Sequence, residues 1–390
     1  MKIYELDDTR YVTALSADME PALTVPDGAV VRVKTQDCYM NNLRAEDDPR
    51  GPAPGEAVGC NPATGPIYVT GVEPGDTLQV DVLTIETGDY ASMRISSRGG
   101  LMRDRVTRPI MRCVPLTGGE AELGGVRFAL DPMIGVIGVA PAEGSIDTET
   151  PGAHGGNMDT RLITEGSTLY LPVRRPGGLL ALGDVHALMG DGEVCICGLE
   201  CPAEVTLSVR VLHGVQEPWP MLRDREGGMS VLASAQTLDQ ACKLAADGML
   251  DYLRARTDVD ENEIILLMSL LTHLEVSQVV DPLVTARCRL TGWDVCFAGL
   301  HEKPRRAQKW PAPGDWTPCA APLRGGRIRA LSVAAGHASD AGRGADRLLY
   351  RRQSGRRGAH NVRRRNPDDR RRRFWGESDR IFLSPQKNGA

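Results

Sequence analysis

Two glycine-rich segments hold most of the residues whose types and spacing suit catalysis or cation binding. In Gly183-Asp184-Val185-His186-Ala187-Leu188-Met189-Gly190-Asp191-Gly192-Glu193, three carboxylates and an imidazole fall close together. Asp184 and His186 stand two residues apart, so an extended backbone turns both to one face, and Asp191 and Glu193 share that relation. Carboxylate oxygen with imidazole nitrogen is a normal ligand set for a zinc-like divalent cation. The second segment, Pro151-Gly152-Ala153-His154-Gly155-Gly156-Asn157-Met158-Asp159, adds another imidazole, an amide and a carboxylate. Glycine in both lets the backbone approach a small ligand. A plainer reading stands beside this one: Asp-Gly and Gly-Asp pairs are common turn residues, and His154 also reads as a loop histidine facing solvent.

Asp37-Cys38, at the end of a strand-like run, is a third candidate. The adjacent acid opposes thiolate formation, which favours burial for Cys38 and leaves the polar role to Asp37. Cys195, Cys197 and Cys201 invite a metal reading, yet no second Cys/His cluster completes four ligands, so core packing is expected. The chain has no phosphate-binding loop, no G-x-G-x-x-G and no G-x-S-x-G.

These residues need elements to hold them. From Met1 to about Arg225 the chain reads as short strands punctuated by Gly, Pro, Asn and Asp. Ala29–Thr35, Ile67–Val72, Leu78–Ile85, Gly135–Val139, Thr168–Val173, Glu193–Gly198 and Glu204–Leu212 are the expected strands. Many short strands without βαβ alternation predict a mainly β fold of sandwich or barrel type. Helical periodicity begins near residue 235, with Leu238, Ala241, Cys242, Ala245, Met249, Tyr252 and Leu253 on one stripe. A second helix is expected from Asp260, with Glu263 completing a capping box and Ile264, Leu267 and Leu271 inward. Val276–Arg289 then returns to strand. Residues 1–225 thus read as a β-rich catalytic body and 226–290 as an α+β portion of the same fold.

Composition narrows the classes. The chain has 390 residues, 41% hydrophobic and 25% charged, which is ordinary for a folded domain. No run approaches the roughly 18 apolar residues of a membrane helix. The opening MKIYELDDTR has no apolar signal region, so a cytoplasmic protein with reduced cysteines is expected. Aromatic residues at 4% argue against a base-stacking platform. The net charge of −5 conceals an asymmetry. Residues 301–390 hold 22 Lys and Arg against 8 Asp and Glu, a balance of +14, and the rest of the chain balances at −19. Residues 291–390 read as an Arg/Gly-rich, unpatterned tail, with arginine runs at Arg363–Arg365 and Arg370–Arg373. A shifted reading frame, plain disorder and a nucleic-acid arm would each produce it; the frame reading is preferred, so nucleic acid is not the expected partner.

The segments, taken in order, resemble the acetamidase/formamidase family. The resemblance rests on Thr35-Gln36-Asp37-Cys38, on Asn61–Val69 leading to Glu73–Leu78, on Pro132–Pro141, on Pro151–Asp159 and Gly183–Glu193, and on Ser277-Gln278-Val279-Val280-Asp281-Pro282. It covers about Met1 to Leu290. It implies a cytoplasmic, homo-oligomeric hydrolase, dimeric or larger, releasing ammonia from a short linear amide on a β-rich fold with a metal-supported site. The cofactor is then zinc, with calcium as a possible second ion. Asp37, Asp159, His186 and His154 are assigned as ligands, with Asp184 either a further ligand or catalytic. Glu193 becomes general base and later acid, and Asn157 the oxyanion donor. Gly155, Gly156 and Asp191 line the substrate. Two alternatives remain: metal-free attack by Cys38 with Glu193 as base, and a non-catalytic module that binds small ligands.

Overall fold

The computed structural model describes residues 2–43 and 61–292. The tail reading falls almost wholly outside the described residues. Two sheets face each other, as the turn-punctuated strand pattern predicts. The larger runs in the order Ile3–Leu6, Val30–Thr35, Ala203–Leu212, Thr77–Thr87, Thr168–Pro172, Met221–Arg223, Met229–Ala235, Val284–Leu290, Thr272–Gln278. All its neighbours are antiparallel except the first pair. The smaller sheet runs Gly155–Asn157, Met133–Gly138, Leu180–His186, Ala63–Val69, Tyr11–Val12, with Leu23–Val25 also pairing Ala63–Val69.

The core between them is apolar from both sides. Val31, Val33, Val80, Leu169, Val205 and Leu207 of the larger sheet meet Ile67, Ile134, Ile137, Leu182 and Val185 of the smaller one. β-Branched residues dominate because they fit a pleated, buried surface. Strands of the smaller sheet, buried on both faces, read as continuous apolar runs rather than as alternation: every residue of Met133–Gly138 and Leu180–His186 is buried.

The helix Leu238–Arg254 lies on the far end of the larger sheet, where Ala245, Met249, Tyr252 and Leu253 join Val231, Cys288 and Leu290. Met249 is fully buried there. Met249→Ala is expected to cost about 2–5 kcal/mol, read as a lower denaturant midpoint, and an unchanged midpoint would overturn this packing. The second helix spans Glu261–Leu271, and the Asp260 side chain accepts from the Asn262 N–H at 2.9 Å. Ile264 is buried, while Leu266 and Leu270 face outward. Val276–Arg289 resolves into a hairpin of Thr272–Gln278 and Val284–Leu290.

One expected strand is absent. Glu193–Gly198 forms turns, with Glu193 at φ 46° and Ile196 at φ 64°. The Glu193 N–H bonds Gly190 O and the Ile196 N–H bonds Glu193 O, so local turn bonds replace a ladder. Asp191 and Glu193 consequently do not share a face. Among the described residues no helix is long and apolar enough to cross a membrane.

Candidate active site

Leu180–His186 pairs with Met133–Gly138 on one side and Ala63–Val69 on the other, and Asp184 and His186 stand at its C-terminal end beside Gly135. Asp184 sits at φ 53° and its Oδ2 lies 3.6 Å from His186 Nε2, so the expected approach of this pair is realised. Asp159 follows the strand Gly155–Asn157, sits at φ 38°, and brings its Oδ1 to 3.9 Å from the same nitrogen. Asp159, Asp184 and Glu193 thus all occupy the left-handed region, a strain of order 1–3 kcal/mol each that surrounding structure must hold.

Glu200 completes the group. It sits in an apolar run, pinned by mutual backbone bonds with Ser92, and its Oε1 accepts the Gly198 N–H at 2.7 Å. Its Oε2 stands 3.1 Å from His186 Nε2. That contact is close enough for charge attraction, yet neither atom has an aligned hydrogen bond. Asp281 enters from the turn after Thr272–Gln278, where Gln278 Oε1 accepts the N–H groups of Val280 and Asp281. Asp281 Oδ2 accepts from Asn157 Nδ2 at 3.0 Å. Asn61 Nδ2 donates to Asp184 Oδ2 at 3.2 Å. Glu200, Asp281 and Asn61 had not been assigned from sequence, although a lone acid inside the apolar Cys197-Gly198-Leu199-Glu200-Cys201 run is itself a signal.

Glu193 reaches the group through a docked loop. Gly192 bonds Ser277 O, and Asp191 forms a two-pronged pair with Arg287, at 3.0 Å and 2.8 Å. Arg287 is fully buried and also meets Glu275. Against partial burial, Arg287 and Arg161 hold the Asp191 carboxyl below the usual carboxylate range. Asp191 therefore anchors the loop and does not line the cavity.

Burial raises the carboxyls of Asp159 and Glu200 to about 7, with Asp184 adding to both. Burial and Asp159 raise Glu193 and Asp281 well above the ordinary range. For His186 burial works downward, but Glu200 and Asp184 beside it outweigh burial and push the ring well above its usual value.

The remaining assigned residues lie elsewhere. Asp37 Oδ1 accepts the N–H groups of Tyr39 and Asn41, and Oδ2 accepts from the Tyr90 hydroxyl, so Asp37 caps a turn. His154 is buried, its ring pushed down to about 4 by burial. It packs against Gly152 and Gly156 rather than joining the acids. Gly155 and Gly156, at φ 91° and 80°, serve close packing: a Cβ on Gly156 would lie 2.5 Å from Thr150 O. Cys38 does face the site, but burial and then Glu200 and Asp184 push its thiol up, which opposes thiolate formation. Cys197 and Cys201 are buried and Cys195 partly so, in the packing role expected.

A cavity of about 330 Å³ opens above this floor, lined there by Cys38, Asn61, Asn157, Asp184, Glu193, Glu200 and Asp281. Asp159 and His186 lie deeper. Asp159 Oδ1, Glu193 Oε2, Glu200 Oε2 and both ring nitrogens of His186 lack hydrogen-bond partners. Orphaned buried atoms of this kind fit a cation. Ligands held at about 2.0–2.2 Å around a tetrahedral ion stand about 3.3–3.6 Å apart. The three distances to His186 Nε2, 3.1, 3.6 and 3.9 Å, bracket that spacing.

The acetamidase/formamidase family model matches residues 7–149 and 142–287, well over half of the chain. The chain belongs to the acetamidase/formamidase family. Two crystal structures from this family are closely similar. A recombinant predicted acetamidase/formamidase from Thermoanaerobacter tengcongensis is 39% identical with TM-score 0.72, covering 75% of this chain and 96% of that one. An acetamidase from Bacillus halodurans is 38% identical with TM-score 0.70, covering 73% and 96%. The acetamidase of Mycolicibacterium smegmatis is 23% identical over 267 residues, 52% of this chain and 66% of that protein. The formamidase of Methylophilus methylotrophus is matched over 54% of its length. The chain thus spans between about half and two thirds of these curated family members.

Proposed function

We propose that this chain hydrolyses a short linear amide to a carboxylate and ammonia with the help of a divalent cation. The observation that carries this reading is the convergence of orphaned carboxylate oxygens on His186 Nε2 beneath a cavity faced by Glu193 and Asn157. An amide is a poor electrophile with a poor leaving group. Its hydrolysis needs an activated water, a stabilised oxyanion and a protonated leaving nitrogen.

Three of Asp159, Asp184, His186 and Glu200 would hold the cation, zinc by ligand type, leaving a position where, when bound, it would make water nucleophilic near neutral pH and polarise a carbonyl. Glu193 carries the proton. Its Oε2, which has no partner, takes the proton from the attacking water and delivers it to the departing nitrogen. Asn157 Nδ2 spends one N–H on Asp281 and keeps a second, which donates to the developing oxyanion. Asp281 fixes the orientation of that amide. The buried floor removes competing water, which strengthens each of these interactions.

Chelation supplies the test. Ammonia release from formamide, acetamide and propionamide is expected to vanish after chelation and to return with a divalent metal. Release that resists chelation but stops on iodoacetamide treatment would move the chemistry to Cys38. Binding without release in metal-loaded protein would leave a non-catalytic module.

A further inference from the structure

The cavity is larger than a formamide or an acetamide requires. At about 330 Å³ it has room for roughly ten waters, whereas these amides have only three or four heavy atoms. The rest of its lining is not acidic alone. The lining also includes the apolar side chains of Ile196, Val280 and Pro282. Ile196 holds its place at a cost: it is β-branched yet sits at φ 64°, with its side chain set against Gly99. The same lining includes Arg94 and Arg98. Arg94, from the strand Tyr90–Ile95, is half-buried, and among the described residues its guanidinium has no ion pair. A partly desolvated cation is ordinarily paired, and a planar guanidinium fork matches a carboxylate.

Resting on the amidase reading above, we infer that the substrate is a short aliphatic amide bearing a carboxylate at its far end, held there by Arg94. The amide then reaches the floor, the methylenes meet Ile196, Val280 and Pro282, and the anion pairs with the arginine. For the monoamide of a four-carbon diacid the reaction is succinamate plus water giving succinate and ammonium. The C–N bond breaks, a C–O bond forms, and both protons of the water end on the nitrogen. Glu149 also lines the cavity, and burial with Asp147 and Asp184 raises its carboxyl.

The test compares kcat/KM of the metal-loaded full chain for succinamate, butyramide and the cationic β-alaninamide. Succinamate is expected to exceed butyramide by at least tenfold at low salt, with a gap that narrows as salt rises. Arg94→Gln is expected to reduce the succinamate-to-butyramide ratio at least tenfold, chiefly through KM for succinamate. Arg94→Lys should retain part of it, which excludes a folding defect. A wild-type preference for butyramide or β-alaninamide, or a ratio unmoved in Arg94→Gln, would overturn the assignment and leave the amidase reading standing. Release from none of the amides would sink both.

Discussion

Glu193→Gln is expected to lower kcat for amide hydrolysis by about 10²–10⁴-fold while the protein keeps its fold and its metal. The substitution is isosteric. Glu193 lies beside Asp159, and a glutamine NH₂ can donate to that carboxylate. What glutamine cannot do is accept a proton from water and return it to nitrogen. Glu200→Gln provides the contrast. Glu200 stands 3.1 Å from His186 Nε2 among the ligand atoms, so its replacement should lose metal and turnover together. Turnover, bound metal and thermal midpoint, measured side by side, separate a proton carrier from a ligand. Near-normal turnover in metal-loaded Glu193→Gln would remove Glu193 from the mechanism.

Asp184, His186, Asp159 and Glu193 were legible because each lies in a polar, glycine-rich stretch where chemistry stands out against a β background. The i, i+2 relation of Asp184 and His186 held, since both belong to one strand. It failed for Asp191 and Glu193, because turn bonds around Gly190 and Gly192 override the strand tendency of Val194 and Ile196. Asp191 accordingly went to Arg287, a partner 96 residues away that no local pattern reveals. Glu200 and Asp281 were obscured for the same reason. Each is a single acid, made significant only by what long-range pairing sets opposite it. Asp37 misled in the other direction, because a short acid at a strand end suits a ligand and a turn cap equally, and Tyr39 and Asn41 decide for the cap. The sandwich was read more easily than the site, since alternation and turn residues are local signals and a constellation is not.

Gly135 tests how closely the sheet sets the site. It lies in Met133–Gly138, a strand buried throughout, directly under two of the acids. A Cβ there would stand 2.5 Å from Asp159 Oδ1, 2.7 Å from Asp184 Oδ2 and 2.7 Å from the Asp184 carbonyl oxygen. No side-chain rotamer relieves the contact with the Asp184 carbonyl oxygen, because the neighbours Gly183 and Val185 are held in the sheet and the Asp184 φ is already strained. Gly135→Ala must therefore push both carboxylates away from His186. A displacement near 1 Å costs about 10²-fold in rate, and overpacking of this kind costs about 1–3 kcal/mol of stability. The expected result is a folded protein with a lower thermal midpoint, weakened metal retention and kcat reduced at least about 100-fold. Wild-type turnover in Gly135→Ala would show that Asp159 and Asp184 do not need the positions they occupy, and the assignment of both as ligands would fall.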